Sequence, residues 1–92
     1  MRKRERELYK QAIEKWGAHL QIIMAFEEMS ELTKELTKFS REKGNKNKIA
    51  EEIADVRIML NQLEIMFDIG VEVSIKRVEK LKRLKGMLKW RQ

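Results

Sequence analysis

The chain of 92 residues has no cysteine, no proline, one histidine and only four glycines. Without cysteine there is no disulfide framework, no thiol nucleophile and no thiolate zinc site, and the composition suits a cytoplasmic setting. Without proline, and with glycine confined to positions 17, 44, 70 and 86, long uninterrupted helices are expected. No apolar run approaches the ~20 residues of a membrane-spanning helix, so no membrane partner is expected. Met1-Arg2-Lys3-Arg4 is basic but lacks the apolar stretch that follows the charges in a secretory signal. Aromatics are scarce too: two Trp, one Tyr and three Phe.

What is present is charge, apolar periodicity and carboxylate pairs. The formal charge is +6, unevenly spread: Lys76 to Arg91 holds eight Lys or Arg against the single Glu79. Such asymmetry calls for an anionic partner, whether a nucleotide, a nucleic acid or an acidic neighbouring subunit. Apolar residues recur at steps of three and four in four stretches, which predicts an all-α chain. The first helix covers about 4–16 and meets a break at Gly17. The second covers about 18–42, with Ile22, Ala25, Met29, Leu32, Leu36 and Phe39 as its seam. The third covers about 47–69, with Ile49, Ile53, Val56, Leu60, Leu63 and Phe67. The fourth covers about 73–90, with Ile75, Val78, Leu81, Leu84 and Leu88 on one side and basic residues on the other. Residues 41–47 read as a turn, so helices two and three form an antiparallel hairpin, and Gly70 is the expected terminator of helix three. The expected architecture is a four-helix-type bundle in a single domain, 1–92, built around that hairpin. A domain this small also gains from association with copies of itself.

Two acidic signatures stand in the central helices: Glu27-Glu28-Met29-Ser30-Glu31 and Glu51-Glu52-Ile53-Ala54-Asp55. Glu28 and Glu31 are three apart, as are Glu52 and Asp55, so each pair shares a helical face with Cβ atoms about 5–6 Å apart. Each acid immediately precedes a seam residue, which places both pairs on the same shoulder of their seams. The plain alternative is a solvated helical face. Against it, Glu27, Glu31 and Glu35 repeat like charge at a spacing that costs about 0.2–0.5 kcal/mol per pair. Carboxylates abutting a seam are partly desolvated, and protonation or a cation must offset that. Oxygen-only donors, without His or Cys, suit a hard cation such as Mg²⁺ or Mn²⁺. A hard-metal cluster with basic residues nearby points to phosphate chemistry.

Glu27-Glu28-x-x-Glu31, a spacer and then Glu52-x-x-Asp55 followed by Val56 resembles the EExxE…ExxD signature of the MazG-like all-α nucleoside triphosphate pyrophosphohydrolases. Trp16-Gly17 and Gln21 ahead of Ala25-Phe26-Glu27-Glu28 are similar as well, and the likeness runs from about residue 13 to Glu79-Lys80-Leu81. The resemblance implies an enzyme that cleaves an NTP or dNTP between the α and β phosphates, giving a monophosphate and pyrophosphate. It implies Mg²⁺ held by Glu28, Glu31, Glu52 and Asp55, with Glu27 in support, and a homodimer or homotetramer with pockets near subunit contacts. The chain departs from the family after Lys80, where Lys82, Arg83, Leu84 and Lys85 follow, so which basic residue meets phosphate stays open.

Further residues are assigned to the substrate with their alternatives beside them. Gln21 is two turns before Glu28 and suits a base edge, or is an exposed helical amide. Trp16 stacks on a base, or belongs to the apolar stripe. Asn61 contacts sugar or base, or bonds between helices. Lys76, Lys80 and Arg83 share one face and receive pyrophosphate, or form a solvated basic face. His19 is not assigned to catalysis, and Met24, Met59 and Met66 are adaptable core. The competing functions are a nucleic-acid-binding module using the basic last helix, which the scarcity of aromatics disfavours, and a non-catalytic oligomerisation bundle.

Overall fold

The computed structural model describes residues 1–90; Arg91, the last of the basic residues counted above, lies outside them. The fold is all-α: α1 spans Lys3–Trp16, α2 Ala18–Ser40, α3 Lys46–Phe67 and α4 Gly70–Trp90. No strand occurs among the described residues, and no helix there is long and apolar enough to cross a membrane. Gly17, at φ 86°, separates α1 from α2 by a single residue. Asn45 caps α3: its side-chain oxygen accepts from Asn47 N at 2.9 Å and Lys48 N at 3.3 Å, filling two of the orphan donors of a helix start.

The turns differ from expectation in an informative way. Gly70 does not end α3; it opens α4, and α3 closes on Asp68 in the left-handed region at φ 52°. At the other turn Glu42 takes the left-handed conformation, at φ 62°, while Gly44 serves a different need. A Cβ on Gly44 would stand 2.8 Å from Phe39 N and closer still to the Phe39 Cα. The missing side chain is what lets the loop fold back onto the end of α2.

α2 and α3 are the main packed pair, and α1 contacts both. α1 is held to α3 by a carboxylate: Glu5 Oε1 accepts from Tyr9 Oη at 2.6 Å and from Asn61 Nδ2 at 3.4 Å. Burial, then the bond to Glu5, raises the Tyr9 pKa above its usual 10.0.

The α2–α3 register follows from one bond. Gln21 Nε2 donates to Gln62 Oε1 at 2.6 Å, and the two residue numbers sum to 83. In an antiparallel pair with matched rise, facing residues keep that sum. Glu28 then faces Asp55, Glu31 faces Glu52, and Met24 faces Met59.

The centre of this interface coincides with the apolar ridge that the periodicity picks out only at Ala25 and Leu32. It is the neighbouring line Gln21, Ala25, Glu28, Leu32, Glu35 on α2. Gln21, Ala25 and Glu35 are buried, whereas Met29, Leu36 and Phe39 remain 39–48% exposed. α3 behaves alike: Met59 and Gln62 are buried, but Ile53, Leu60 and Phe67 are exposed. Small Ala25 permits close approach along the polar line, so the bulky residues are turned partly outward.

α4 carries this further. It packs on α3 alone, with no approach to α1 or α2 among the described residues, and positions 71–89 are exposed throughout. Its apolar residues form two stripes, Val71, Ile75 and Val78 on one side and Val73, Leu81, Leu84 and Leu88 on another. The four-helix-type architecture built around the α2–α3 hairpin is as expected from the sequence, with α4 its most loosely packed member.

Candidate metal centre

Glu28 comes from the middle of α2, and Glu52 and Asp55 come from successive turns of α3. One carboxylate oxygen of each lies within 4.8 Å of the others. Glu28 and Glu52 are half-buried and Asp55 is exposed, so the cluster has a closed side and an open side. Glu52 Oε2 lies on the closed side: it is buried and has no hydrogen-bond partner among the described residues. An unpartnered buried carboxylate oxygen is costly unless a proton or a cation meets it.

The electrostatics have the same cause. Desolvation, followed by the charges of Asp55 and Glu52, a hydrogen bond with Asp55 and the charge of Glu31, raises the Glu28 pKa above the usual 4.5. Desolvation, followed by Asp55, Glu31, Glu35 and Glu51, raises that of Glu52. No Lys or Arg forms an ion pair with any of the three among the described residues. The donors are all oxygen, as a hard divalent cation requires.

The other sequence-derived residues fall in several places. Glu31 is exposed, outside the group of three but close enough to raise both Glu28 and Glu52. Glu27 is exposed on the outer side of α2. Gln21 is not an exposed amide; it is buried against Gln62. Trp16, at the end of α1, is 52% exposed, with Lys15 Nζ 5.4 Å from its ring centroid. Asn61 takes the interhelical alternative, donating to Glu5. Lys76, Lys80 and Arg83 are exposed on α4, which does not approach α2, so the chain's own fold does not bring them to the cluster. Lys76 instead pairs loosely with Glu79 at 3.8 Å.

The burial of two polar residues was not expected from the sequence, where Glu35 entered only through its like-charge spacing and Gln62 not at all. Glu35 is buried with only Lys38 Nζ, 3.4 Å away, beside it; the i,i+3 Lys was its signal. Gln62 lies seven residues after Asp55, as Gln21 lies seven before Glu28, and antiparallel counting pairs them.

No family model, no curated protein and no solved structure matches this chain. The fold and the cluster define an all-α, four-helix protein with an acidic site that could hold a metal ion.

Proposed function

We propose that the protein is a Mg²⁺- or Mn²⁺-dependent nucleotide pyrophosphohydrolase, cleaving an NTP or dNTP between the α and β phosphates. The observation that carries this reading is the convergence of Glu28, Glu52 and Asp55 around the unpartnered Glu52 Oε2. The resemblance of Glu27-Glu28-x-x-Glu31 and Glu52-x-x-Asp55 to the pyrophosphohydrolase signature supplies the reaction. Glu28, Glu52 and Asp55 hold the cation, Glu31 completes the set from the rim and Glu27 supports it. A divalent cation held by these carboxylates would supply charge neutralisation for phosphate oxygens and a water of lowered pKa for in-line attack. The open side, at Asp55, admits the substrate. Pyrophosphate release over a panel of NTPs and dNTPs with Mg²⁺ or Mn²⁺ tests this. Release from at least one nucleotide is expected, and Glu31→Ala or Asp55→Ala should abolish it with helical circular dichroism intact. No release from any nucleotide, or full activity in either variant, refutes the assignment.

We propose further that a second copy of the chain covers α4. A monomeric protein of 11.1 kDa exposes about 5,700 Å² on the usual mass scaling, whereas this chain exposes 8,026 Å². The excess far exceeds the ~800 Å² that each partner loses in a standard interface. One open face of α4 presents Val73, Leu81 and Leu84 with Lys76, Arg77 and Lys80 along its edge. The exposed apolar residues favour a protein helix over nucleic acid as the occupant. Light scattering should show a dimer or tetramer at micromolar concentration; a monomer there overturns the proposal.

A further inference from the structure

The register that brings Glu28 to Asp55 also brings Gln21 to Gln62, two turns or about 10.5 Å along the same pair of helices. Gln21 and Gln62 are each 4% exposed as whole residues. They floor a recess of about 310 Å³ whose walls are Trp16, Leu20, Met24 and Met59. That volume is at the low end of small-molecule pockets, enough for a heterocycle. Met24 and Met59 lie between the amides and the acids, one turn from each. The recess and the acidic cluster are therefore consecutive stations on one seam.

The amides are bonded to each other, and the pair leaves unspent capacity. Gln21 Nε2 donates to Gln62 Oε1. Gln62 Nε2 has only the Met59 sulfur, at 3.9 Å, a weak acceptor. No donor reaches Gln21 Oε1 among the described residues, and this oxygen is not among the fully enclosed, unpartnered atoms. The pair thus leaves one acceptor without a donor and one donor with only a weak acceptor, beside a recess otherwise lined by apolar side chains. Rotating both amides by a half-turn preserves their mutual bond and exchanges what they offer, because each amide has an oxygen and an NH₂ in nearly the same outline.

We infer that the Gln21–Gln62 pair is a reversible reader of a planar heterocycle's hydrogen-bonding edge, the base subsite of the nucleotide whose phosphates the acids serve. The inference deepens the pyrophosphohydrolase reading and rests on it for the nucleotide. In the orientation seen, Gln21 Oε1 accepts from an exocyclic amino group and Gln62 Nε2 donates to the adjacent ring nitrogen, as adenine and cytosine require. In the reversed orientation Gln21 Nε2 donates to a carbonyl and Gln62 Oε1 accepts from the ring N–H, as guanine and uracil require. Trp16, Leu20 and the methionines supply contact with the ring face, which every base has. The consequence is breadth: the site selects for a base but does not choose between amino and keto edges.

Nucleoside monophosphates test this without turnover. Titration of AMP, CMP, GMP and UMP, followed by Trp16 fluorescence in a Trp90→Phe background, should give dissociation constants within about tenfold of one another, a spread of ~1.4 kcal/mol. A preference of a hundredfold or more for one edge class would overturn the reversible pair. With ¹⁵N-labelled glutamine, the Gln62 side-chain amide should respond most to AMP and CMP, and the Gln21 amide to GMP and UMP. The Gln11 amide should stay fixed as the internal control. If Gln21 and Gln62 stay fixed as well, the subsite is elsewhere. The double variant Gln21→Met/Gln62→Met removes both amides without orphaning either, so it keeps the fold; all four monophosphates should weaken by about tenfold or more, the discrimination that a bidentate base contact carries. Failure of the parent reading looks different: monophosphates bind and the amides respond, but no triphosphate releases pyrophosphate. Release with unchanged KM in the double variant sinks the base subsite alone.

Discussion

Replacing Glu28 with Gln should make the metal-free protein more stable and the metal-loaded protein less so. Three carboxylates within 4.8 Å repel one another in the absence of a cation. Two unit charges at that distance interact by about 0.9 kcal/mol in water and about 3.5 kcal/mol at an effective dielectric of 20. The cluster is open on the Asp55 side, so the lower part of that range applies, on the order of 1 kcal/mol. Gln also keeps the bond to Asp55, now as an unambiguous donor. For a domain of this size 1 kcal/mol is about 4–8 °C in Tm, so in chelator the variant should melt a few degrees above wild type. With Mn²⁺ at a hundred times its dissociation constant, linkage adds about 2.7 kcal/mol to wild type, while the variant, one ligand short, gains far less. The two melting curves therefore exchange order on adding metal, which differential scanning fluorimetry reads directly. A variant that gains as much from Mn²⁺ as wild type would show that these acids are not the cation site. A variant that melts lower in chelator would show that the like-charge argument fails.

The remaining predictions concern pH, turns, the amide pair and α4. Because Glu28 and Glu52 have raised pKa values, their protonated forms favour the folded state. That contribution is complete below the usual 4.5 and is lost as pH rises through the raised values, so in chelator the Tm advantage of Glu28→Gln should grow from pH 4.5 to 7.5; a constant difference would contradict it. Gly44→Ala should cost about 1–3 kcal/mol in urea unfolding, since its Cβ meets the Phe39 backbone, and an unchanged midpoint would refute the close approach. Asp68→Gly should gain about 0.5–1 kcal/mol by relieving the left-handed φ of 52°; a loss would mean the Asp side chain has a role of its own. Gln21→Leu alone should cost about 1–3 kcal/mol by orphaning Gln62, and adding Gln62→Leu should recover most of it; additive losses would contradict the bond. Leu84→Asp should shift the light-scattering mass toward the monomer with α-helical signal retained, and an unchanged mass would place the interface off α4.

The helices were legible because apolar steps of three and four and the absence of proline permit little else. Glu28, Glu52 and Asp55 were legible because their offsets from the two seams match, whereas Glu31, placed by the same argument, stands outside the group of three. Gly70 misled because glycine is the usual left-handed terminator, yet Asp68, two residues earlier, adopts that conformation here. The interface line misled more deeply: hydrophobic periodicity reports which side of a helix is apolar, not which neighbour it meets. Met29, Leu36, Ile53 and Leu60 satisfy the helical pattern but keep 37–48% of their surface exposed. For the same reason the basic residues of α4 could be placed on one face, but not relative to the acids.

The constant sum of 83 makes the spacing between amides and carboxylates a property of two helices jointly. No single substitution can stretch it, and a one-residue insertion in α2 between Gln21 and Glu28 would swing one group about 100° away from its partner. Lengthening the gauge takes whole turns added to both helices at facing positions, an event that must happen twice at once. A lineage carrying this hairpin can readily change the side chains at each station, while the distance between them is inherited intact.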